Sequence, residues 1–468
     1  MFEVTQLIAG TWGSGHSGHE LTVVSPVDGR PVTVVAQSSD DDVAAAVEAA
    51  RAATSGWART GAGDRGAALH AAASAVASSA DDLAEIMSAE MGKPVGEARD
   101  SIMAGVGTLR QYAELGPVHR GRSLAGDTGA VDLMAFGPRG VVAVITPWND
   151  PVAVSCGLLG AALVTGNTVI YKPSERTPAT GWRLAELLAA HFPSGVLNLV
   201  NGDGSVGATL AAAPVDVVAQ VGSTATGRSI AAACARTGAK ALLENGGNDP
   251  LIVDAGLDPL WAAGQAALGA FANSGQICVS VERIYVHRTV AEPFLDALAA
   301  EADTWAPRIG PLVDRRLRDA VDDQVQQAIK EGATALRGGA VPPGPGAFYP
   351  PIVLAGCTDQ MAVVREETFG PVAPVMAVDS FDEALRRAAD SDYGLAATVL
   401  TGSMSHAQRA WRDLTVGTVK INAVFGGAPG GAAHPRRGSG QGFGYGPELL
   451  DEMTATKAVH LEAPPAGW

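Results

Sequence analysis

The apolar positions of this chain follow two periods. Between residues 40 and 112, Ala, Val and Leu recur every three or four places, opened by Asp40-Asp41-Asp42 and again by Asp81-Asp82. That spacing predicts a block of amphipathic helices with acidic starts. From Val131 onward the texture changes. Val141 to Ile145 is an unbroken apolar run, which predicts a parallel strand buried on both faces. A helix of small residues follows and ends near Gly166-Asn167. Further strands are predicted at Thr168 to Tyr171, Val196 to Val200, Val215 to Val221 and Lys240 to Leu243, with a helix around Ala179 to Ala190. Strand and helix alternate at βαβ spacing, so a doubly wound parallel sheet is expected. A second cycle starts at Pro250-Leu251-Ile252-Val253. It holds a small-residue helix (262–272), a strand at Ile284 to Val286, a long helix over 314–331 and a strand at Val416 to Ile421. Residues 1–37 read as short strands and turns, 342–346 as a loop and 426–446 as a glycine-rich loop. Residues 118–138 and 452–461 read as strand-forming arms outside these units. The expected class is α/β, with one unit formed by 1–117 and 139–245 and another by 246–436.

Composition narrows the function. The 468 residues are 47% hydrophobic and 18% charged, enough for sizeable cores. A formal net charge of −16 argues against non-specific nucleic-acid binding. The longest apolar stretch, Val152 to Val164, is too short to span a bilayer, so no membrane partner is expected. The start of the chain lacks the basic and apolar regions of a signal peptide. Cys156, Cys234, Cys278 and Cys357 form no CxxC pair and no cluster with metal spacing, so reduced thiols, a cytoplasmic setting and no metal are expected.

Candidate chemistry gathers around Asn273-Ser274-Gly275-Gln276-Ile277-Cys278-Val279. A thiol becomes a strong nucleophile only where its surroundings favour the thiolate. For a cysteine read alone, core packing is the better explanation. Four other segments shift the balance: Thr146 to Asn149, Lys172 to Glu175, Leu243 to Gly247 and Glu366 to Pro371. Two glycine clusters compete for a dinucleotide. Gly202-Asp203-Gly204-Ser205-Val206-Gly207 matches GxGxxG, but it follows the third strand and lacks an acid about 20 positions later. Gly222-Ser223-Thr224, with Gly227 one turn on, sits where the fourth strand meets a helix, whose free N–H groups suit a pyrophosphate. Lys172 and Glu175 follow the second strand, where a carboxylate can hold ribose hydroxyls.

These segments together resemble the aldehyde dehydrogenase superfamily over residues 8–461. The similar motifs are PWN (147–149), GNTVIYKPSE (166–175), GST (222–224), LENGG (243–247), GQICVS (275–280), EETFGPV (366–372), YGLAATV (393–399) and TATKAV (454–459). Glu244 and Cys278 stand 34 positions apart, as in that family. The resemblance implies a Rossmann-type cofactor domain, an α/β catalytic domain and a small oligomerisation arm. It implies that NAD, with NADP as the alternative, oxidises an aldehyde to its acid. Cys278 would form the thiohemiacetal and thioester, Glu244 would activate the hydrolytic water, and Asn149 with the Cys278 N–H would hold the oxyanion. The cofactor would contact Ile145, Thr146, Pro147, Trp148, Lys172, Ser174, Glu175, Gly204, Gly222, Ser223, Gly246, Glu367 and Phe369. Paired arms imply a homodimer or homotetramer.

The chain departs from the family around the substrate. Asp150 follows PWN where an aromatic residue is common, and Ala153, Val154 and Gly157 are small for their positions. Ala432-Ala433-His434-Pro435 replaces Pro-Phe-Gly-Gly. A roomy tunnel lined by Asp150, Val154, Gly157, Ile277, Phe425 and Ala433 is expected, with Asp150 and His434 as its polar contacts. A bulky or polar aldehyde should fit it. Acyl-CoA formation and a catalytically silent cofactor-binding protein remain as alternatives. Glu244 argues against the first. The retention of Cys278, Glu244 and Asn149 together argues against the second.

Overall fold

The computed structural model describes residues 1–427 and 431–464. The expected glycine-rich loop of 426–446 falls partly outside them, because it includes 428–430. Four helices open the chain after a small sheet: α1 (Asp40–Arg59), α2 (Ala62–Ser78), α3 (Ala80–Met91) and α4 (Val95–Leu115). The cap of α1 is Ser39, one residue before the acidic run. Ser39 accepts from the Asp42 N–H, and the Asp42 carboxylate returns the bond to the Ser39 N–H.

The first large sheet contains β1 (Val141–Ile145), β2 (Thr168–Lys172), β3 (Leu197–Leu199), β4 (Val217–Val221) and β5 (Lys240–Glu244). They lie in the order β5-β4-β1-β2-β3, all parallel. Antiparallel strands Gly440–Gln441 and Gln6–Ile8 extend the two sides. The crossovers are α5 (Pro151–Val164), α6 (Pro178–Ala189), α7 (Gly204–Ala212) and α8 (Thr224–Thr237). Helix α5 is apolar around nearly its whole circumference and is buried, packing on α4. The chain runs from β1 to β3 in one direction, then returns to β4 on the other side of β1. This reversal opens a crevice at the carboxyl ends of β1 and β4, the usual place for a ligand in such sheets.

The second large sheet follows directly. It contains β6 (Asp249–Val253), β7 (Val281–His287), β8 (Ile352–Ala355), β9 (Val372–Val378), β10 (Ala396–Leu400) and β11 (Thr418–Ile421) in the order β8-β9-β7-β6-β10-β11, all parallel. Thr334–Arg337 adds an antiparallel edge on β8. Helices α9 (Pro259–Phe271), α10 (Arg288–Trp305) and α11 (Arg315–Lys330) cover it. Only residues 245–248 separate the end of β5 from the start of β6. The carboxyl edge of the first sheet is thereby brought to the amino edge of the second. Arg122–Leu124, Ala130–Pro138 and Thr454–Glu462 form a separate three-stranded antiparallel sheet. Among the described residues, no helix is long and apolar enough to cross a membrane.

One buried carboxylate ties the helical block to the first sheet. Glu90, near the end of α3, accepts from Thr33 Oγ1 at 2.9 Å and from the N–H groups of Ala179 and Thr180, both at 2.9 Å. It also accepts from Thr180 Oγ1 at 2.7 Å. Burial pushes its pKa up to about 7, against the pull of these donors. The contact fixes the start of α6, just beyond the Lys172-Pro173-Ser174-Glu175 segment. Gln at this position would turn an NH2 group toward two of the four donors. Glu90→Gln should therefore cost about 1–3 kcal/mol and lower the melting temperature in scanning calorimetry. An unchanged melting temperature would show that the cluster does not hold α6.

Candidate active site

The nucleophile candidate lies on a forced turn. After α9, Asn273, Ser274 and Gly275 adopt φ of 50°, 57° and 73° in succession. Glycine is required at 275, because a Cβ there would lie 2.0 Å from the Gly370 carbonyl. Side chains hold the other two residues in place. Ser274 Oγ donates to the Gly310 carbonyl at 2.7 Å. Gln276 Nε2 donates to Asn273 O at 2.9 Å, while its Oε1 accepts from the Val313 N–H at 2.9 Å. Ser280 Oγ donates to Gly275 O at 3.1 Å. The turn presents Ile277, Cys278 and Val279 half-buried just ahead of β7.

Cys278 Sγ lies 4.0 Å from Glu244 Oε1, at the end of β5. Gly444 covers this carboxylate so closely that a Cβ there would meet Glu244 Oε2 at 2.3 Å. Asn149 is buried, and its Nδ2 donates to the Gln276 carbonyl at 3.0 Å. Asn273 Nδ2 clamps the same region by donating to Asn149 O and Gln276 O. One amide hydrogen of Asn149 is thus committed and the second remains for a ligand. Burial pushes the Cys278 pKa well up, and the Glu244, Asp249, Glu367 and Asp150 carboxylates push it further. Burial also raises Glu244. Both shifts favour the uncharged forms of the thiol and the carboxyl.

The nucleotide candidates divide between two helix starts. Helix α8 begins at the switch point between β1 and β4. Gly222 precedes it, and Ser223 caps it by accepting from the Thr226 N–H. Helix α7 begins at Gly204 after Asp203, whose carboxylate accepts from Ser205 N at 2.8 Å. An acid thus occupies the position a phosphate would need, which weakens the GxGxxG match. Lys172 ends β2 buried and donates to the Pro173 carbonyl at 3.1 Å. Burial lowers its pKa, with Glu175 and Asp203 opposing. Ser174 is buried and Glu175 half-buried beside it. Ile145, Thr146, Pro147 and Trp148 run along the crevice out of β1, and the Trp148 and Phe369 rings meet edge-on at 5.5 Å. Glu367 Oε1 accepts from the Gly247 N–H at 3.0 Å. Its other oxygen has no protein donor among the described residues. A Cβ on Gly246 would strike that oxygen at 2.1 Å, so the glycine makes room for the carboxylate. Burial pushes Glu367 up to about 8. An acceptor held open beside a crevice fits a ribose hydroxyl, and the donor set as a whole fits a dinucleotide.

Glu282 supports this arrangement, and no sequence signal singled it out. Its buried carboxylate accepts from the N–H groups of Thr368 and Phe369 at 2.8 and 3.0 Å. Phe369 is held at φ 55° by this grip. A cleft of about 880 Å³ opens at Val279, the residue after Cys278. Its walls include Ala104, Thr108 and Gln111 of α4, Val279, Lys420 and Ala433.

Ala433 is the one expected tunnel residue in this lining. Asp150, Val154, Gly157, Ile277 and Phe425 lie outside it. Two expected polar contacts are corrected. The Asp150 carboxylate accepts from Ser101 Oγ and lies 3.6 Å from the buried Lys93 ammonium, which neutralises it. His434 is consumed by backbone, with Nδ1 2.8 Å from the Pro435 carbonyl and Nε2 accepting from the Gly442 N–H at 3.1 Å. Gly157 is buried, yet a Cβ there would meet nothing within 4 Å, so empty space does adjoin it. Lys420, Gln111 and Lys93 were missed because their partners lie far away in sequence. A lysine at the penultimate place of a strand that otherwise reads apolar, Lys420 in Val419-Lys420-Ile421, was the available signal.

Residues 12–459 match the model of the aldehyde dehydrogenase family. A putative succinate-semialdehyde dehydrogenase [NADP(+)] from Mycolicibacterium smegmatis is 37% identical, over 92% of this chain and 86% of its own. A 2-hydroxymuconic semialdehyde dehydrogenase from a Pseudomonas species is 35% identical, over 91% and 92%. Among solved structures, an NAD-dependent aldehyde dehydrogenase from Sinorhizobium meliloti superposes with a TM-score of 0.95 at 32% identity, covering 100% of this chain and 96% of that one. With the fold, the family match and these relatives in agreement, the chain belongs to the aldehyde dehydrogenase family and is an NAD(P)-dependent oxidoreductase that oxidises aldehydes.

Proposed function

We propose that Cys278 is the covalent nucleophile, Glu244 the base for deacylation and Asn149 the oxyanion donor. The observation that carries this reading is the approach of Cys278 Sγ to Glu244 Oε1 at 4.0 Å, with the Asn149 amide bonded to the carbonyl of Gln276 in the turn that presents Cys278. The Cys278 thiol gives its proton to the Glu244 carboxylate, which passes it to solvent; the thiolate attacks the aldehyde carbon, and the carbonyl oxygen takes up the negative charge. The free Asn149 amide hydrogen and the Cys278 N–H stabilise that charge, with donors already fixed before the reaction. The bound nicotinamide supplies the acceptor for the hydride this carbon loses. Cys278 is left carrying an acyl group as a thioester. Glu244 takes a proton from water, the water oxygen attacks the acyl carbon, and the thiolate departs as the acid forms. Raised by burial, Glu244 is a stronger base than an exposed carboxylate once ionised.

Gly222 and Ser223 at the start of α8 hold the pyrophosphate in this reading. Lys172, Ser174 and Glu175 hold the adenosine ribose, and Glu367 the nicotinamide ribose. Ile145 to Trp148, Gly246 and Phe369 form the walls, while Gly204 lies at the margin. The cofactor unit is 1–117 with 139–245, the catalytic unit is 246–436, and 118–138 with 452–461 form the arm. Four free thiols suit a reducing, cytoplasmic setting. The semialdehyde names of the relatives and the open cleft favour a bulky or polar aldehyde.

Glu244→Gln should stop turnover at the thioester. Intact-mass spectrometry after mixing with aldehyde and NAD should show one acyl group on Cys278, and an unmodified Cys278 with normal turnover would falsify the assignment. A tryptophan at 157 should grow into the empty space beside α5. Gly157→Trp should lower kcat/KM for a bicyclic aldehyde more than for acetaldehyde by about tenfold, since each lost methylene contact is worth roughly 1–3 kcal/mol. Equal effects on both would remove Gly157 from the tunnel. The arm sheet exposes Val131 (52%) and Leu461 (56%), and among the described residues the outer edges of its two outer strands pair with no strand. Light scattering at micromolar concentration should give a dimer or tetramer, and a monomer would contradict this role for the arm.

A further inference from the structure

The lining of the cleft has an asymmetric charge. Among its described residues Lys420 is the one charged side chain. It stands on β11, on the wall of a cleft that also includes Val279, the residue after the nucleophile. The ammonium is half-buried and lies 5.3 Å from the Phe425 ring centroid. Among the described residues, no carboxylate lies within 4.0 Å of it and no acceptor bonds it. Removing a cation from water without a partner is costly, and a ring face offsets only part of that cost. Burial lowers its pKa, while Asp249 and Cys278 pull the other way.

A second unfilled donor faces the same space. Gln111 Oε1 accepts from the Tyr445 hydroxyl at 3.2 Å, which fixes the amide's orientation. The Gln111 NH2 group then has no protein acceptor among the described residues. Tyr445 and Gln111 both line the cleft. No carboxylate does, and Asp150 nearby is already held by Lys93. The fixed acids of the site, Glu244 and Glu367, belong to the reaction end.

We propose that Lys420, with the Gln111 amide as a second donor, selects aldehydes that carry a carboxylate remote from the reacting carbon. The anionic end seats on the cleft wall, and the aldehyde end is turned toward Cys278. Glu244, at the reaction end, offers the reversed carboxylate no cation to pair with and repels it when ionised. The inference rests on the assignment of Cys278 as nucleophile. Its rival is local charge balance, in which Lys420 merely offsets the buried Asp249. The Asp249 Oδ1 accepts from the Ala396 N–H at 3.0 Å, and its Oδ2 is unpartnered among the described residues.

The test is steady-state kinetics of the full-length enzyme with succinic and glutaric semialdehydes and with their methyl esters. The wild type should favour the free acids. In Lys420→Met the acid-to-ester ratio of kcat/KM should fall by roughly ten- to hundredfold, the worth of a hydrogen bond to a charged group. The loss should appear mainly in KM, and Lys420→Arg should restore part of the ratio. A wild type indifferent to the carboxylate overturns the proposal. So does an equal loss on acid and ester in Lys420→Met, which is what charge balance with Asp249 predicts. Either result leaves the covalent mechanism standing, because that is judged separately by the acyl adduct on Cys278 in Glu244→Gln.

Discussion

Three consecutive left-handed residues ahead of Cys278 are the constraint on which the site depends. Two of them, Asn273 and Ser274, carry side chains, and such conformations cost on the order of 1–3 kcal/mol each. They persist because the surrounding structure leaves the backbone no alternative. Gln276 is bonded at both ends, Ser274 is tied to Gly310, and Gly275 is pressed against Gly370. The anchors outside the turn come from two separate stretches of the second unit, 310–313 and Gly370. The position of the thiol is therefore a property of the packed domain. The same turn aims the Gln276 carbonyl at Asn149, so the positions of Cys278 and Asn149 are set by one event.

Electrostatics around that turn run against a resting thiolate. Glu244, Glu367, Asp249 and Glu282 are carboxylates raised by burial in the same region. Each added charge disfavours the others and disfavours ionisation of Cys278. The cluster holds neutral thiol until the surroundings change. Such a resting state protects the sulfur from oxidation, because the thiolate is the reactive form. Glu282 has a separate task, since both of its oxygens are filled by the Thr368 and Phe369 N–H groups. Its burial secures the loop that offers Glu367 to the crevice.

Much of this was legible in the chain because it depends on local pattern. The unbroken apolar run Val141 to Ile145 is a central strand because both of its faces are covered by helices. The strand–helix junction at Gly222-Ser223 lies at the switch point, whereas the GxGxxG match at Gly202 to Gly207 does not. That difference belongs to strand order, which no spacing within the sequence encodes. Asp150 and His434 were misjudged for the same reason. Their partners, Lys93 with Ser101 and the Gly442 N–H, are set by tertiary contact. The acids that open α1 mark its start in the sequence, but the capping oxygen belongs to Ser39, and Asp42 completes the reciprocal bond. The strands at Ile352, Val372 and Ala396 gave no distinct signal beyond the motifs that contain or border them.

Substrate selection follows from what the cleft lacks. Ala104, Ala433 and the glycines at 107, 426 and 427 give its walls little apolar area. Burying a short hydrocarbon chain against such walls gains little, at about 25 cal/mol per Å². Loose apolar contact is also non-directional, so it does not place a carbonyl carbon within reach of Cys278. Orientation must then come from contacts that have direction. A half-buried ammonium on β11 and the Gln111 amide on α4 supply them. Small walls and a single half-buried cation are thus parts of one solution. The first makes room and the second decides which way round the occupant lies.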